Sequence, residues 1–168
     1  MELLIVRHAI AEDREVFAAT GRDDAQRPLT AEGIRKMKRT ARGLHEVVPS
    51  IDLLVSSPFA RANETAEIIR REYDLDRVET ARELEPGTSL ADVATWLGQL
   101  DPPAVVAIVG HEPQLGRLVT YLVTGSERSG VELKKGAACL IEFEGKPRAG
   151  RGRLTWAIPP GILRDLAG

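Results

Sequence analysis

Two histidines, His8 and His111, and two arginines, Arg7 and Arg61, each stand at or soon after the end of a short apolar run. The runs are "LLIV" before Arg7-His8, "IDLLV" before "SSPFAR", and "AVVAIVG" before His111. A guanidinium presents a planar fork of donors that matches the oxygens of a phosphoryl group. An imidazole titrates near neutrality and can bind, donate or attack. If the three runs are neighbouring parallel strands, the four side chains converge beyond the strands' carboxyl ends, where open α/β sheets hold their ligands. The helices that follow the second and third runs turn their free N–H groups toward the same place, which adds to an anion site.

The elements that must position these residues are legible in the pattern. "ELLIVR" (2–7) reads as a buried central strand because it is continuously apolar. A polar loop containing "TGRDDAQRPL" follows, then a helix from Thr30 to Val47, with Thr30 as N-cap and Ile34, Met37, Ala41 and Leu44 as its inner stripe. Pro49 stops it. Residues 51–57 form the second strand, and 58–73 the next helix, with Ser57 as N-cap and Pro58 in the first position. A short strand near "RVETA" leads to the loop "RELEPGTS" and a helix, capped by Thr88 or Ser89, that runs through Trp96 to Leu100. Residues 104–110 are a third buried strand and 113–123 its helix. "AACLIEF" and "RLTWAI" then flank the basic "EGKPRAGRG" as a hairpin. The fold class expected is α/β: three layers, α/β/α, around a mostly parallel mixed sheet with an antiparallel edge.

At 168 residues the chain is one domain, 1–168. A formal net charge of -2 speaks against a whole-surface footprint for nucleic acid or anionic membrane, so affinity for an anion must reside in a local pocket. The single cysteine, Cys139, lies in an apolar stretch and reads as a buried structural thiol. With no disulfide framework, no signal segment and no membrane-length apolar run, a cytoplasmic location is expected.

Each site residue also has an ordinary reading, as a surface arginine or a hydrogen-bonded structural histidine; it is the joint pattern that points to a phosphoryl site. His45, on a helix beside Glu46, lacks that setting and reads as surface. A metal site would need three or four His, Cys or carboxylate ligands, and two guanidiniums would repel the cation, so no metal and no cofactor is expected. Lys146, Arg148, Arg151 and Arg153 read as a solvated hairpin tip, with docking of an acidic partner or polyphosphate as the other use.

These residues resemble the histidine phosphatase superfamily, the phosphoglycerate mutase-like fold, and most of all its compact SixA-type phosphohistidine phosphatase branch. The family's Arg-His-Gly appears as Arg7-His8-Ala9, its helix start as Leu29-Thr30-Ala31-Glu32-Gly33, its long central motif as "SSPFARANETA" (56–66), and its late Gly-His as Gly110-His111. Ala9 departs from the family's glycine, so the turn after His8 must avoid a conformation that only glycine tolerates. Larger relatives have insertions that form a lid and supply an acidic proton donor. Here only "ARELEPG" stands at that place, with Glu85 the better candidate and Glu83 the lesser.

The resemblance implies that His8 is a nucleophile forming a phosphohistidine intermediate, while Arg7, Arg61 and His111 bind the phosphoryl oxygens and stabilise their charge. Neighbouring guanidiniums should favour the neutral imidazole. The implied substrate is a protein bearing phosphohistidine, such as a phosphotransfer domain. A small phosphomonoester is the alternative substrate, and phosphoprotein binding without catalysis the alternative function.

Overall fold

The computed structural model describes residues 1–100 and 104–168. Six strands form one sheet in the order β3-β2-β4-β1-β5-β6. They are β1 (Glu2–Arg7), β2 (Leu53–Ser56), β3 (Glu79–Thr80), β4 (Val105–Gly110), β5 (Ala138–Glu142) and β6 (Arg153–Ile158). β2, β4 and β1 lie side by side and parallel, and β5 and β6 add the antiparallel edge. The three site-bearing strands are thus neighbours that end together: Arg7 pairs with Gly110, and Ser56 with Val109.

Because successive side chains point to opposite faces, one strand feeds two cores. Leu4 and Val6 of β1 pack on one face with Met37, Ala41 and Leu44 of α2 (Ala31–Val47), Ala62, Ala66 and Ile69 of α3 (Ala60–Glu72) and Leu163 of the last helix. Leu3 and Ile5 pack on the other with Val93 and Leu97 of α4 (Leu90–Gln99) and Leu115, Leu118 and Leu122 of α5 (Gln114–Thr124). The result is the three-layer α/β/α arrangement with a mixed sheet.

Several boundaries differ from the sequence expectation. Thr30 does cap α2, its hydroxyl accepting from Gly33 N–H, but Ile34 is 37% exposed and lies off the buried stripe, which runs through Gly33, Met37, Thr40, Ala41 and Leu44. Helix α3 starts at Ala60 with Phe59 in the capping position, so neither Ser57 nor Pro58 begins it; the Ser57 side chain is engaged in the site instead. Pro113 likewise caps α5 rather than opening it. Ser89, not Thr88, caps α4. The loop after β1 hides a one-turn helix, α1 (Arg14–Ala18), capped by Asp13, and a 3₁₀ turn at Asp24–Gln26 capped by Asp23. A last helix, α6 (Pro160–Leu166), packs on α2, where its Leu163 carbonyl occupies the space that a side chain at Gly43 would need.

Gly33 matters for the site. A Cβ there would stand 2.1 Å from the carbonyl oxygen of Ile10, so only glycine lets α2 approach the segment that leaves His8. Gly33→Ala is expected to cost about 1–3 kcal/mol of stability by overpacking against backbone. A lower denaturant midpoint at unchanged slope would register it.

Cys139 is fully buried, and burial pushes its thiol up to about 12, consistent with a structural role. His45 is half-buried on α2, its ring 4.5 Å from that of Tyr73 and its Nε2 bonded to the Pro49 carbonyl. The segment between β5 and β6 is tied down more firmly than a free hairpin tip: Gly150 and Gly152 donate their N–H groups to the Tyr121 and Leu122 carbonyls, and Pro147 is buried. Lys146, Arg148, Arg151 and Arg153 stay exposed there, Arg153 paired with Glu142. No helix among the described residues is long and apolar enough to cross a membrane.

Candidate active site

A cavity of about 440 Å³ opens at the carboxyl ends of β1, β2 and β4 and is lined by Arg7, His8, Arg61 and His111. The four predicted residues are therefore brought together. His8 and His111 are 6% and 3% exposed, with ring centroids 5.2 Å apart. Arg61, on the first turn of α3, is 3% exposed.

The His8 tautomer follows from its partner. Nδ1 of His8 lies 2.7 Å from the carbonyl oxygen of Ala9, which can only accept, so Nδ1 carries the proton and Nε2 keeps its lone pair. Nε2 of His111 lies 2.8 Å from the Ser57 hydroxyl, whose oxygen already accepts from Phe59 N–H. When that hydroxyl donates to Nε2, the His111 proton stands on Nδ1. The turn after His8 avoids the left-handed region, as an alanine there requires, and Ala9 N–H donates to the Thr65 hydroxyl of α3. That hydroxyl also donates to the carbonyl of Arg61, tying the two halves of the site.

Burial is the leading cause that brings both imidazoles down to about 3. For His8 the charges of Arg61, Arg7 and Arg27 act in the same direction, against the Ala9 hydrogen bond. For His111 the neighbouring His8 and Arg61 add to burial. The guanidinium effect expected from sequence is thus present but secondary. Both rings are neutral at physiological pH. As pH falls from 6.5 toward 3, the unfolded chain takes up protons that the folded rings refuse, so folding stability declines with acid over that window. Thermal unfolding followed across that range, in the parent chain and in His111→Gln, is expected to show the parent losing more stability on acidification.

The arginines are oriented by backbone and carboxylate. Arg7 donates through Nη1 to the Leu133 carbonyl at 2.6 Å. Arg61 donates through Nη1 to the Asp24 carbonyl at 3.0 Å and pairs through Nη2 with the Asp24 carboxylate at 3.2 Å. Nε of both arginines and Nδ1 of His111 are buried without a partner among the described residues. Unpaired buried donors cost free energy unless something accepts from them. All three belong to residues that line the one cavity, where two guanidiniums supply the charge that suits an oxyanion.

Sequence reasoning missed Arg27, Asp24 and Phe59. Arg27 is 8% exposed and lines the cavity. Phe59 sits between Arg61 and His111, its ring centre about 5 Å from the guanidinium carbon and from the imidazole centroid. The acidic spacing of "RDDAQR" was the available signal for the first two. The loop holding Glu83 and Glu85 is fastened by Gln114, whose amide faces the carbonyls of Glu83, Glu85 and Thr88. Pro86 lines the cavity together with Glu12, Asp13 and Glu112, whereas the predicted Glu83 and Glu85 are not among its lining residues. Among the described residues no group of three or more His, Cys, Asp or Glu side chains is placed to hold a metal ion.

Comparison with known proteins agrees with this geometry. Residues 3–89 match the family model of the histidine phosphatase superfamily (branch 1). An uncharacterised protein of Picosynechococcus sp. is 33% identical over 137 residues, covering 80% of this chain and 81% of that one. The phosphohistidine phosphatase SixA of Escherichia coli is 28% identical over 167 residues, covering 98% of this chain and 97% of its own. The solved structure of the protein histidine phosphatase SixA complexed with tungstate superposes with a TM-score of 0.82 at 27% identity, covering 97% of this chain and 99% of that one. With its strand-end histidines and arginines gathered as that family's motifs require, the chain belongs to the histidine phosphatase superfamily, branch 1, and is a phosphatase-type hydrolase.

Proposed function

We propose that this protein hydrolyses phosphohistidine on a protein substrate through a covalent phosphohistidine on His8. The observation that carries the reading is the His8 ring itself: neutral, protonated on Nδ1 by its bond to the Ala9 carbonyl, and lining a cavity with guanidiniums. The Nε2 lone pair attacks phosphorus in line. A substrate ring protonated on its far nitrogen departs as neutral imidazole, and His8 becomes a phosphorylated ring of the same charge. One P–N bond replaces another, so the step is nearly balanced and asks little of a general acid. Water then attacks, the His8 P–N bond breaks, and orthophosphate leaves with both protons of the water. Arg7, Arg61 and His111 hold the oxygens throughout, and the charge of the two arginines with the fixed donors of all three fills the role a metal would otherwise take. Glu85 does not itself line the cavity but adjoins Pro86, which does, and is the proposed proton donor for ester leaving groups, which depart poorly without one.

Acid-labile, base-stable label on the enzyme after quenching a reaction with radiolabelled phosphohistidine protein identifies a P–N bond. A stronger turnover of sugar or nucleotide phosphates than of phosphohistidine protein would transfer the reading to a small-molecule phosphomonoesterase. Because His8 is neutral far below its ordinary value, the single-turnover rate of enzyme phosphorylation, corrected for substrate ionisation, is expected to show no acid limb near pH 6.5. An enzyme-borne limb at that pH would contradict a buried, neutral nucleophile.

A further inference from the structure

We propose that Arg27 is a third phosphoryl-binding guanidinium of this site, that Asp24 positions it together with Arg61, and that the set is matched to the phosphoryl dianion. The proposal rests on the reading of this cavity as a phosphoryl site.

Arg27 follows the 3₁₀ turn and is almost as buried as the catalytic histidines. Its Nε donates to the Asp24 carboxylate at 2.8 Å and its Nη1 to the Glu12 carbonyl at 2.7 Å. Nη2 makes no hydrogen bond to the protein among the described residues, and the side chain lines the cavity. A buried guanidinium with two nitrogens fixed and one left over at an anion site is preorganised to donate there. The charge of Arg27 also acts on both imidazoles, which places it within electrostatic reach of the reacting centre.

Asp24 is the shared anchor. One carboxylate oxygen takes Arg27 and the other pairs with Arg61, while its backbone carbonyl takes Arg61 Nη1. Burial raises this carboxyl, but the Arg27 hydrogen bond and the charges of Arg61 and Arg27 prevail and hold it below the usual range, so it stays ionised. With both imidazoles neutral, the set of three guanidiniums and the Asp24 carboxylate that joins two of them sums to two positive charges. A terminal phosphoryl group in its fully ionised form carries two negative charges. Without Arg27 the balance would suit a monoanion. Around the mouth stand Glu12, Asp13, Arg14, Lys135 and Glu112. The first four are exposed and solvent-screened, and the Glu112 carboxylate accepts from the Gly116 and Leu133 amides.

Titration of orthophosphate into the full chain, with turnover of phosphohistidine protein measured alongside, tests this. The parent protein should bind orthophosphate more tightly as pH rises through the ligand's second ionisation. Arg27→Ala is expected to weaken binding by about 10- to 100-fold, the scale of a charge-assisted bond, and to flatten that pH dependence. Arg27→Lys keeps the charge without the fork; it should recover most of the binding but not kcat, and it decides the matter if the alanine variant does not fold. Asp24→Asn keeps the carbonyl contact and an acceptor oxygen, so it should bind orthophosphate as tightly as the parent or more so, while kcat drops about tenfold. Parent-like binding and kcat in the Arg27 variants would overturn the role of Arg27. An unchanged kcat in Asp24→Asn would overturn the positioning role. If the parent protein itself neither binds orthophosphate nor turns over phosphohistidine, the reading of the cavity fails and this proposal with it; if the parent does both, only the proposal is at stake.

Discussion

His8→Ala is expected to abolish turnover, by about 10⁴-fold or more, while orthophosphate binding stays within a few-fold of the parent protein. The two readouts separate because His8 contributes a lone pair rather than a charge: its ring is neutral, and the oxygens belong to the arginines and His111. Enzyme-bound label should vanish with the ring. The substitution also removes the Nδ1 bond to the Ala9 carbonyl, but Ala9 N–H remains held by Thr65, so the turn keeps an anchor. Full hydrolytic activity in this variant would show that the nucleophile is another group. Label retained without His8 would show the same by an independent route.

Arg61→Ala should damage binding and turnover together. Its guanidinium is charged, 3% exposed, and fixed by Asp24 from two sides. Removing one preorganised donor from charge that develops in the transition state costs about 3–4 kcal/mol, a loss of roughly 10²–10³ in kcat. Orthophosphate should bind at least tenfold more weakly, since an ionised donor is lost from the ground state as well. Arg61→Lys is expected to recover binding more than rate, because an ammonium supplies the charge without the planar fork. An Arg61→Ala enzyme with the parent's kcat/KM would remove this residue from the phosphoryl site.

Much of this was legible in the chain because the signals were local. Continuous apolar runs identified β1, β2 and β4, and their abrupt polar ends located Arg7, His8 and His111. Thr30 and Ser89 announced their helices through side chains that accept from the first turn. What stayed hidden depended on partners far along the chain. Ser57 looks like a helix cap in sequence, yet its hydroxyl serves His111, a relation that only strand pairing between β2 and β4 creates. Arg27 sits in a stretch without apolar rhythm, and it is held by Asp24 and the Glu12 carbonyl. Ile34 has the spacing of a core residue but lies at the edge of the α2 face that meets the sheet. The one-turn helix α1 and the short α6 are set by docking, since helices of that length carry little stability of their own.

The hydroxyl of Thr65 deserves its place at the junction of two strands' worth of chemistry. It accepts from the amide just beyond His8 and donates to the backbone of Arg61. The segment that carries His8 and the helix turn that carries Arg61 are therefore mounted on a common bracket, which couples the position of one side chain to that of the other.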